Sequence, residues 1–484
     1  MSTKSRTEAF NKLKKQICSN ERFFMMPQLR FSKYAIFSPF IDENDQGQIL
    51  VFSSKSGKIV KLSANLYNKI KHLEEIDSGG IIPQSIIDSL IENQILVPKD
   101  LSFDDEVKTV LRHNRSEIDS SETLYVVIQP NAYCNFGCGY CGQDHVRKAL
   151  SDEHQDKILN LIITSLKNGS YKNLSIAWFG SEPTIVPKTI MQLSERLITL
   201  SKKHGLNYFS KMVTNGFNLT KDLAVSFLND CMISSFEITL DGPKEIHDSR
   251  RYLKNKSATF AKIVENIKTL VETKAKVTIR CNVDKRNQGR VIELAKFLKD
   301  QNLHKKVSFY NAPVHSWGND AHQLSAEQQD YAKWEIQSFD QLIHLGFDVR
   351  LMPAPNSIPC MGVNKHSILI DPYGNLFGCT EESLVPAYVK NGTNTRSCGS
   401  IGKLNKSETI KTIPGRKYNN FPQEISQKKW PCHDCHVLPL CGGKCPKEWH
   451  EGRAACPPFK YNLPERILLN YARTKIEKTK AQTA

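Results

Sequence analysis

The chain lacks any long apolar segment. Its 484 residues contain no run of eighteen or more apolar residues, which argues against a membrane-spanning helix. The N-terminal stretch MSTKSRTEAFNKLKKQICSN is polar and basic, so the apolar part of a signal peptide is also missing. We therefore expect a soluble, cytoplasmic protein. Two or three domains are expected, because the chain is long for a single hydrophobic core.

Acidic residues are fewer than basic ones. The chain has 50 Asp and Glu against 66 Lys and Arg, and its formal net charge is +16. Such a charge suits an acidic partner, either nucleic acid or an acidic peptide. The lysines are dispersed, however, and a strong stripe of basic and aromatic residues is lacking. A solvated basic surface is therefore the simpler interpretation, and nucleic-acid binding is not favoured.

Cysteine, by contrast, is abundant and unevenly placed. In a reducing cytosol, grouped cysteines more often bind metal or do chemistry than form disulfides. Four of the fourteen stand alone in the sequence, namely Cys18, Cys231, Cys281 and Cys398. The other ten form one tight triplet and a C-terminal set of seven. Both groups are candidate metal or cluster sites.

The first hundred residues predict a small domain. Residues 49–62 show two short apolar strands around a Lys-Ser-Gly turn, which indicates a hairpin. Two helical patterns and a last apolar strand follow, up to Pro98. We expect a winged-helix-like domain at 30–100, preceded by a basic tail at 1–29.

The middle of the chain predicts a parallel α/β fold. Residues 101–122 are polar and charged, and we interpret them as a linker. Over 123–345, strand-like runs alternate with helical stretches, which is typical of repeated βα units. The six candidate strands are 124–128, 174–179, 208–213, 236–240, 277–283 and 307–310. They predict a partial (β/α)6 barrel with its chemistry at the C-terminal strand ends. Residues 346–484 are loop-rich and cysteine-rich, with a C-terminal helix.

The cysteine triplet directly follows the first barrel strand. In NAYCNFGCGYCGQ the spacing is Cys134-x3-Cys138-x2-Cys141. Three thiolates are one short of the four that usually hold a [4Fe–4S] cluster, so one iron is left open to an external ligand. The alternatives are a zinc site completed by His145, or three unrelated thiols.

This CxxxCxxC spacing, with the aromatic Tyr140 before the last cysteine, resembles the signature of radical S-adenosylmethionine (SAM) enzymes. The resemblance implies a [4Fe–4S] cluster on Cys134, Cys138 and Cys141, whose open iron binds the amino and carboxylate groups of S-adenosyl-L-methionine. Reduction of SAM then yields a 5′-deoxyadenosyl radical that abstracts a substrate hydrogen. A flavodoxin- or ferredoxin-type electron donor is the implied partner.

Motifs at later strand ends extend the resemblance. WFGSEPT is similar to the GGEP motif that binds the SAM amino group, with Gly180, Ser181 and Glu182 in its first positions. Ser181 replaces the second glycine, which is tolerable if the backbone there does not need a positive φ. VTNGF, EITLDGP and TIRCNVD resemble family segments near the SAM ribose and carboxylate. Their matching residues are Thr214, Asn215, Thr239, Asp241, Arg280 and Asn282.

The seven C-terminal cysteines do not fit the two spaced pairs of a zinc ribbon. The set resembles the SPASM extension of peptide-modifying radical SAM enzymes, which binds two auxiliary [4Fe–4S] clusters. The resemblance assigns one cluster to Cys432, Cys435, Cys441 and Cys456. It assigns the other to Cys360, Cys379 and Cys445. Since two clusters need eight ligands, the latter lacks one. Either that iron is open to substrate, or Cys398 or His366 fills the place.

The stretch LVFSSKSGKIVKLSANLYNKI resembles the PqqD-like domain, which recognises leader peptides of ribosomally made, modified peptides. In that family an extended leader adds as a strand to the edge of the domain's sheet. The resemblance implies that the partner is a precursor peptide with a leader segment. The alternative is an ordinary winged helix that binds DNA.

Together these resemblances predict a peptide maturase that makes an oxidative cross-link, of thioether, carbon–carbon or carbon–oxygen type, with auxiliary clusters to accept the electron. The first alternative is a sulfatase-maturase-like enzyme that makes formylglycine. Such relatives carry an acidic residue directly after the second SPASM cysteine, where this chain has Thr380 followed by Glu381 and Glu382. The second alternative is a zinc protein that binds nucleic acid.

Overall fold

The computed structural model describes residues 28–43, 46–72, 82–315, 317–386, 400–404 and 408–483. Nearly all of the basic tail predicted at 1–29 lies outside the described residues, and so do Cys18 and Cys398. No helix in the described ranges is both long and apolar enough to cross a membrane.

The N-terminal region, residues 28–100, is built from short strands and two described helices. The strands are β1 Leu29–Phe31, β2 Ala35–Phe37, β3 Ile41–Glu43, β4 Gln46–Ser53, β5 Ile59–Ser63 and β6 Leu96–Pro98. The helices are α1 Ala64–His72 and α2 Gln84–Glu92. The predicted hairpin is present as β4 and β5, which pair antiparallel with Ile49 opposite Leu62. Strands β2 and β3 also pair with β4, and β6 pairs with β1.

The structure differs from the sequence interpretation at 101–122, which was expected to be a linker. Helix α3, Phe103–Asp119, fills most of it and begins at the Ser102 cap, whose Oγ accepts a hydrogen bond from the backbone N–H of Asp105. Its apolar residues recur at helical spacing between the charges, so one face is buried. Fully buried Glu106 on that face accepts a hydrogen bond from Ser32 and forms a 2.9 Å ion pair with Arg30. The helix thus fastens the N-terminal region to the rest of the chain.

A sheet of parallel strands forms the centre of the molecule, as predicted. The barrel strands are β7 Thr123–Ile128, β8 Asn173–Trp178, β9 Asn207–Thr214, β10 Ile233–Thr239, β11 Lys276–Val283 and β12 Val307–Pro313. They lie side by side in chain order, and each pairs parallel with the next. Their apolar side chains, such as Leu124, Ile176 and Ile238, are fully buried in the largest core cluster.

Helices cover this sheet between its strands. They are α4 Asp152–Lys167, α5 Pro187–Lys203, α6 Lys221–Asn229, α7 Lys244–Arg250, α8 Phe260–Val271, α9 Val291–Asp300 and α10 Gln328–His344. Side-chain oxygens cap the first turns of α4 and α6, where Ser151 and Thr220 accept backbone hydrogen bonds. The alternation of strand and helix confirms the α/β class and the six βα strands expected for a partial barrel.

The C-terminal region, residues 346–483, extends the same sheet. Strand β13 Ser367–Ile370 pairs parallel with β7, and β14 Asn375–Phe377 and β15 Gly402–Lys403 follow antiparallel. The helices are α11 Phe421–Ser426, α12 Leu438–Cys441, α13 Pro446–His450 and α14 Phe459–Thr483. Because β13 continues the barrel sheet, the loops that precede and follow it are held against the barrel.

The N-terminal region packs on the cysteine-rich loops. Phe52 and Leu50 lie in one buried cluster with Val437 and Leu463. Ser54 Oγ donates a hydrogen bond of 2.8 Å to the His436 carbonyl. Apolar burial and hydrogen bonds together therefore place this region beside the loop that carries Cys432 and Cys435.

Candidate active site and cysteine groups

The triplet thiols lie together in the loop after β7. The backbone N–H of Phe136 donates to Cys134 Sγ at 3.4 Å, and the N–H of Cys141 donates to the Cys138 carbonyl at 3.2 Å. Burial raises the pKa of the Cys141 thiol to about 11, and the charge of nearby Cys138 adds to the shift. Burial also raises the pKa of Cys134, and the charges of the other two thiols contribute to the shift. The predicted triplet is thus a spatial cluster.

His145 is the nearest candidate for a fourth ligand. Its Nε2 lies 3.9 Å from Cys141 Sγ, and burial lowers its pKa to about 4, which keeps the ring neutral at pH near 7. Within the described ranges, no three His, Cys, Asp or Glu side chains are arranged to share one metal ion. His145 therefore lies beside one thiol, that of Cys141, and metal analysis decides between zinc and iron.

Tyr140 links the cysteine loop to the ends of β10 and β11. Its hydroxyl donates to Asp241 Oδ2 at 2.6 Å and accepts from Asn282 Nδ2 at 3.0 Å. The other Asp241 oxygen accepts the backbone N–H of Asn282 at 3.0 Å. Hydrogen bonds therefore connect Tyr140, Asp241 and Asn282 with one another. They orient the loop that carries the thiols.

Arg280 and Thr239 lie at the same strand ends. They are opposite each other in the parallel register of β10 and β11. Arg280 Nε donates to Asn282 Oδ1 at 2.8 Å, and its guanidinium lies 3.6 Å from a Glu237 oxygen. Burial opposes the charged form of Arg280, but the charges of Tyr310 and Glu237 outweigh it and leave the pKa raised. A fixed cation is thus present beside the predicted SAM contacts.

Glu182 joins three strand-end loops. Its buried carboxylate accepts hydrogen bonds from the Thr184 N–H and hydroxyl, from Thr214 Oγ1 and from the Asn215 N–H, at 2.6 to 3.0 Å. Asn131, in the cysteine loop, donates to the Glu182 carbonyl at 2.8 Å. Burial raises the pKa of Glu182, and these hydrogen bonds act in the opposite direction. The carboxylate is therefore a structural link between the predicted SAM-binding segments.

The backbone of the GSEP segment is left-handed at two residues. Gly180 has φ +84°, and a Cβ there would lie 2.0 Å from Gln129 Nε2, so glycine is required. Ser181 has φ +49°, and its N–H donates to Gln143 Oε1 at 3.0 Å. Serine was expected to be tolerated only if this backbone did not need a positive φ, and Ser181 does have a positive φ. Ser181 carries the backbone strain that the second glycine of the family motif avoids.

We expect Ser181→Gly to raise the free energy of unfolding by about 1 kcal/mol, because glycine adopts positive φ without steric cost. Ser210→Gly is the matched control, since Ser210 is a buried serine in the extended strand β9. It should lower stability by about 0.5 to 1 kcal/mol. Urea denaturation of both variants checks the signs, and destabilisation by both would contradict the strain argument.

Two consecutive arginines were not predicted from the sequence. Arg250, in α7, donates to Asp284 at 2.6 Å and contacts Asp241 at 3.5 Å. Arg251 follows the helix and donates to the Tyr140 hydroxyl at 2.5 Å. Burial opposes its charge, but Cys138, Tyr140 and Asp241 together outweigh this and the pKa is raised. The Arg-Arg pair shortly after the LDG tripeptide was the available signal in the sequence.

Three buried polar atoms at this edge of the barrel have no protein partner. Gln129 Nε2, Ser181 Oγ and Arg251 Nε are buried and make no hydrogen bond. Such atoms are rare in folded proteins and commonly face a ligand or water. Together with the thiol cluster and the cation beside it, they fit an anionic cluster with a polar ligand.

Four C-terminal thiols line one pocket. Cys432, Cys435, Cys441 and Cys456 line one small pocket, together with Trp449. Burial raises the pKa of Cys432 and of Cys441 to about 12, with contributions from the other thiols. The four thiols in the pocket's lining fit the cluster that the resemblance assigns to these residues.

The turn between Cys441 and Cys445 depends on glycine. Gly442 and Gly443 have φ +56° and +87°, and a Cβ on Gly443 would lie 2.6 Å from a Phe421 ring carbon. This close approach lets the chain reverse at the end of α12. Cys441 and Cys445 consequently belong to different thiol groups although only three residues separate them.

The remaining thiols form a second C-terminal group. Burial raises the pKa of Cys445 to about 12 and also raises that of Cys379, and Cys360 adds to both shifts. His366, one of the suggested fourth ligands, instead has its Nδ1 2.9 Å from the Tyr171 hydroxyl and its ring against that side chain. This contact favours a structural role for His366. Cys398, the other suggestion, is outside the described part of the chain.

An ion pair lies between the triplet and this second group. His315 Nε2 is 3.1 Å from Glu381 Oε2. Burial lowers the pKa of His315, but the hydrogen bond and charge of Glu381 outweigh it, so the pKa is raised. The charge of Glu381 reaches both Cys141 and Cys379. The sequence indicated Glu381 only as a neighbour of Cys379, and His315 was not predicted.

Comparisons with known proteins agree with this geometry. Residues 128–298 match the family model of the Radical SAM superfamily. A cysteine-type anaerobic sulfatase-maturating enzyme of Clostridium novyi is 25% identical over 349 residues, 67% of this chain and 88% of the relative. A serine-type anaerobic sulfatase-maturating enzyme of Bacteroides thetaiotaomicron is 21% identical over 369 residues, which are 68% of this chain and 83% of the relative. The structure of native anSMEcpe with bound AdoMet covers 74% of this chain and 100% of its own, with a TM-score of 0.52 and 20% identity.

The fold, the strand-end motifs and these matches indicate that residues 128–298 form a radical SAM domain. Its cofactors are a [4Fe–4S] cluster and S-adenosyl-L-methionine, which this class of enzyme uses. The three thiols after β7 are where the family motif places that cluster, and we adopt Cys134, Cys138 and Cys141 as its proposed ligands.

Proposed function

We propose that this enzyme oxidatively modifies a ribosomally made precursor peptide, forming a cross-link, with three iron–sulfur clusters. The observation that carries the proposal is that the C-terminal thiol group containing Cys379 lies beside the triplet loop. The Asp144 N–H donates to the Leu384 carbonyl at 2.7 Å, and Gln143 Nε2 donates to the Ser383 carbonyl at 3.2 Å. The triplet loop is thus bonded directly to the segment after Cys379.

This arrangement suits an oxidation. When bound, SAM and its cluster supply a carbon radical that takes one hydrogen atom from the substrate. A cross-link requires the loss of a further electron and proton from the substrate, so an electron acceptor must lie nearby. In our proposal Cys360, Cys379 and Cys445 hold one auxiliary cluster beside the barrel opening. The four thiols that line the C-terminal pocket hold the other.

Metal analysis tests this proposal first. The full chain is purified and reconstituted without oxygen, and iron, sulfide and zinc are measured. We expect about twelve irons per chain, since three [4Fe–4S] clusters contain that number. A content of about four irons would contradict the auxiliary clusters. Zinc without iron would favour the zinc alternative, with His145 as a ligand.

We further propose that the N-terminal region binds the leader of the precursor. An extended peptide adds to an exposed sheet edge through main-chain hydrogen bonds. Beside β3, Phe40 is 55% exposed, and its ring lies 5.8 Å from that of Tyr67. Phe37 contacts the same Tyr67 ring at 5.3 Å. An exposed aromatic cluster of this kind offers an anchor for an apolar side chain of the leader.

We expect Phe40→Ser to weaken binding of the precursor about tenfold, the effect of losing an aromatic contact worth roughly 1.4 kcal/mol. Phe209→Ser is the matched control, because Phe209 is 54% exposed on the barrel and should not change the affinity. Fluorescence anisotropy with labelled peptides encoded by short reading frames next to the gene measures both. Equal affinities of the two variants for a peptide that the enzyme modifies would contradict leader binding at this site.

A second candidate function is the oxidation of a protein cysteine or serine to formylglycine. Two observations favour it. Both curated relatives named above are sulfatase-maturating enzymes. Glu381 also places a carboxylate between the triplet and Cys379, although one residue later than in that family.

Mass spectrometry separates the two functions. Cross-linking removes two hydrogens from the peptide, whereas formylglycine formation from cysteine exchanges sulfur and two hydrogens for one oxygen. The enzyme is incubated with SAM, a reductant and either the neighbouring precursor peptides or a cysteine sulfatase peptide. Aldehyde formation only on the sulfatase peptide would replace the first proposal by the second.

A further inference from the structure

Lys460 lies against the pocket of the four C-terminal thiols. Helix α14 begins just after Cys456, and Lys460 is in its first turn. Its Nζ lies 3.3 Å from Cys456 Sγ, which is hydrogen-bonding distance for a sulfur acceptor. The side chain lines the pocket together with the four cysteines. Lys460 is therefore close to one proposed cluster ligand.

The rest of the described lining is apolar. Val437, Leu438 and Trp449 contribute to it, and among its described residues Lys460 alone carries a positive charge. Lys33 and Lys444 also act on thiols of this group, but neither lines the pocket. Lys460 is partly buried, so its charge is screened less than that of a fully exposed lysine.

We propose that Lys460 raises the reduction potential of the cluster held by Cys432, Cys435, Cys441 and Cys456. Reduction adds one electron, and hence one negative charge, to the cluster and its thiolates. A cation that donates a hydrogen bond to a ligand sulfur stabilises the reduced state more than the oxidised state. With Lys460 present, this cluster is therefore a better electron acceptor than it would be without that charge. The inference rests on the proposed function for the presence of the cluster.

The test is a redox titration of the full chain with reconstituted clusters, followed by EPR spectroscopy and protein-film voltammetry. In Lys460→Met we expect the potential of one cluster to become more negative while the others stay unchanged. Lys460→Arg keeps the charge and should leave the wild-type potential nearly intact. Lys305→Met is the control, because Lys305 is an exposed lysine on the barrel and its loss should shift nothing.

Iron content separates this inference from the proposed function. About twelve irons in every variant, with identical potentials in wild type and Lys460→Met, would overturn the role of Lys460 but leave three clusters in place. Loss of about four irons from Lys460→Met alone would also overturn it, in favour of a role in assembly. About four irons in all proteins, wild type included, would show that the proposed function itself fails.

Discussion

Replacing Cys138 with alanine is expected to abolish production of 5′-deoxyadenosine from SAM. Two remaining thiolates cannot hold a cluster that already has one ligand fewer than usual. Iron content should fall by about four per chain, the content of one cluster. Liquid chromatography of the anaerobic reaction measures the nucleoside, and colorimetric analysis measures the iron.

Cys231→Ala is the control for this experiment. Cys231 is also a fully buried thiol, but it lies just before β10 and outside all three thiol groups. Its replacement should leave both iron content and SAM cleavage near wild type. Undiminished 5′-deoxyadenosine from Cys138→Ala would remove the triplet from the catalytic cluster, and the position of the active site would have to be assigned again.

Replacing Glu182 with alanine is expected to lower the free energy of unfolding by roughly 3 kcal/mol or more. The substitution leaves the Thr184 and Asn215 N–H groups and the Thr214 hydroxyl without their acceptor, and unsatisfied buried donors cost about 1 to 3 kcal/mol each. The loops after β8 and β9 would also lose the side-chain link between them, whereas the bond from Asn131 to the Glu182 carbonyl would remain. We therefore expect SAM affinity to fall at least tenfold, as the predicted SAM-binding segments are no longer aligned.

Urea denaturation and equilibrium dialysis with labelled SAM measure these two effects. Glu195→Ala removes an exposed carboxylate from α5 and should change stability by less than about 0.5 kcal/mol. Glu182→Gln keeps an acceptor oxygen and should fall between wild type and alanine. If Glu182→Ala bound SAM normally, Glu182 would stabilise the fold without positioning these loops.

The strands of the barrel were predictable because their signal is local. All six predicted strands are present, with ends that differ by at most a few residues, for instance 236–240 against Ile233–Thr239. Runs of apolar residues bounded by turn motifs suffice for such assignments. The segment at 101–122 was interpreted as a linker because it is polar. In the structure it contains α3, which buries Val107, Val110 and Ile118, although charged residues separate them in the sequence. Only the helical spacing of those apolar residues indicated a buried face.

The sequence motifs predicted which residues belong to the site, but they did not predict which of these residues contact one another. The sequence indicated Tyr140, Asp241 and Asn282 separately, at three strand ends, and the fold brings them within hydrogen-bonding distance. It gave little indication of Arg251, His315 or Lys460, because a single basic residue has no distinctive pattern. Their importance depends on which thiol or carboxylate lies beside them.

By itself, the sequence determined the α/β class, the order of the strands and the grouping of ten cysteines into sets suited to clusters. These properties follow from apolar periodicity and from spacing along the chain, which are local quantities. The tertiary structure alone decided that β13 extends the barrel sheet, that Ser181 adopts a positive φ, and that Tyr140 reaches Asp241. Each of these depends on how separate segments pack against one another, and packing joins residues that no local pattern relates.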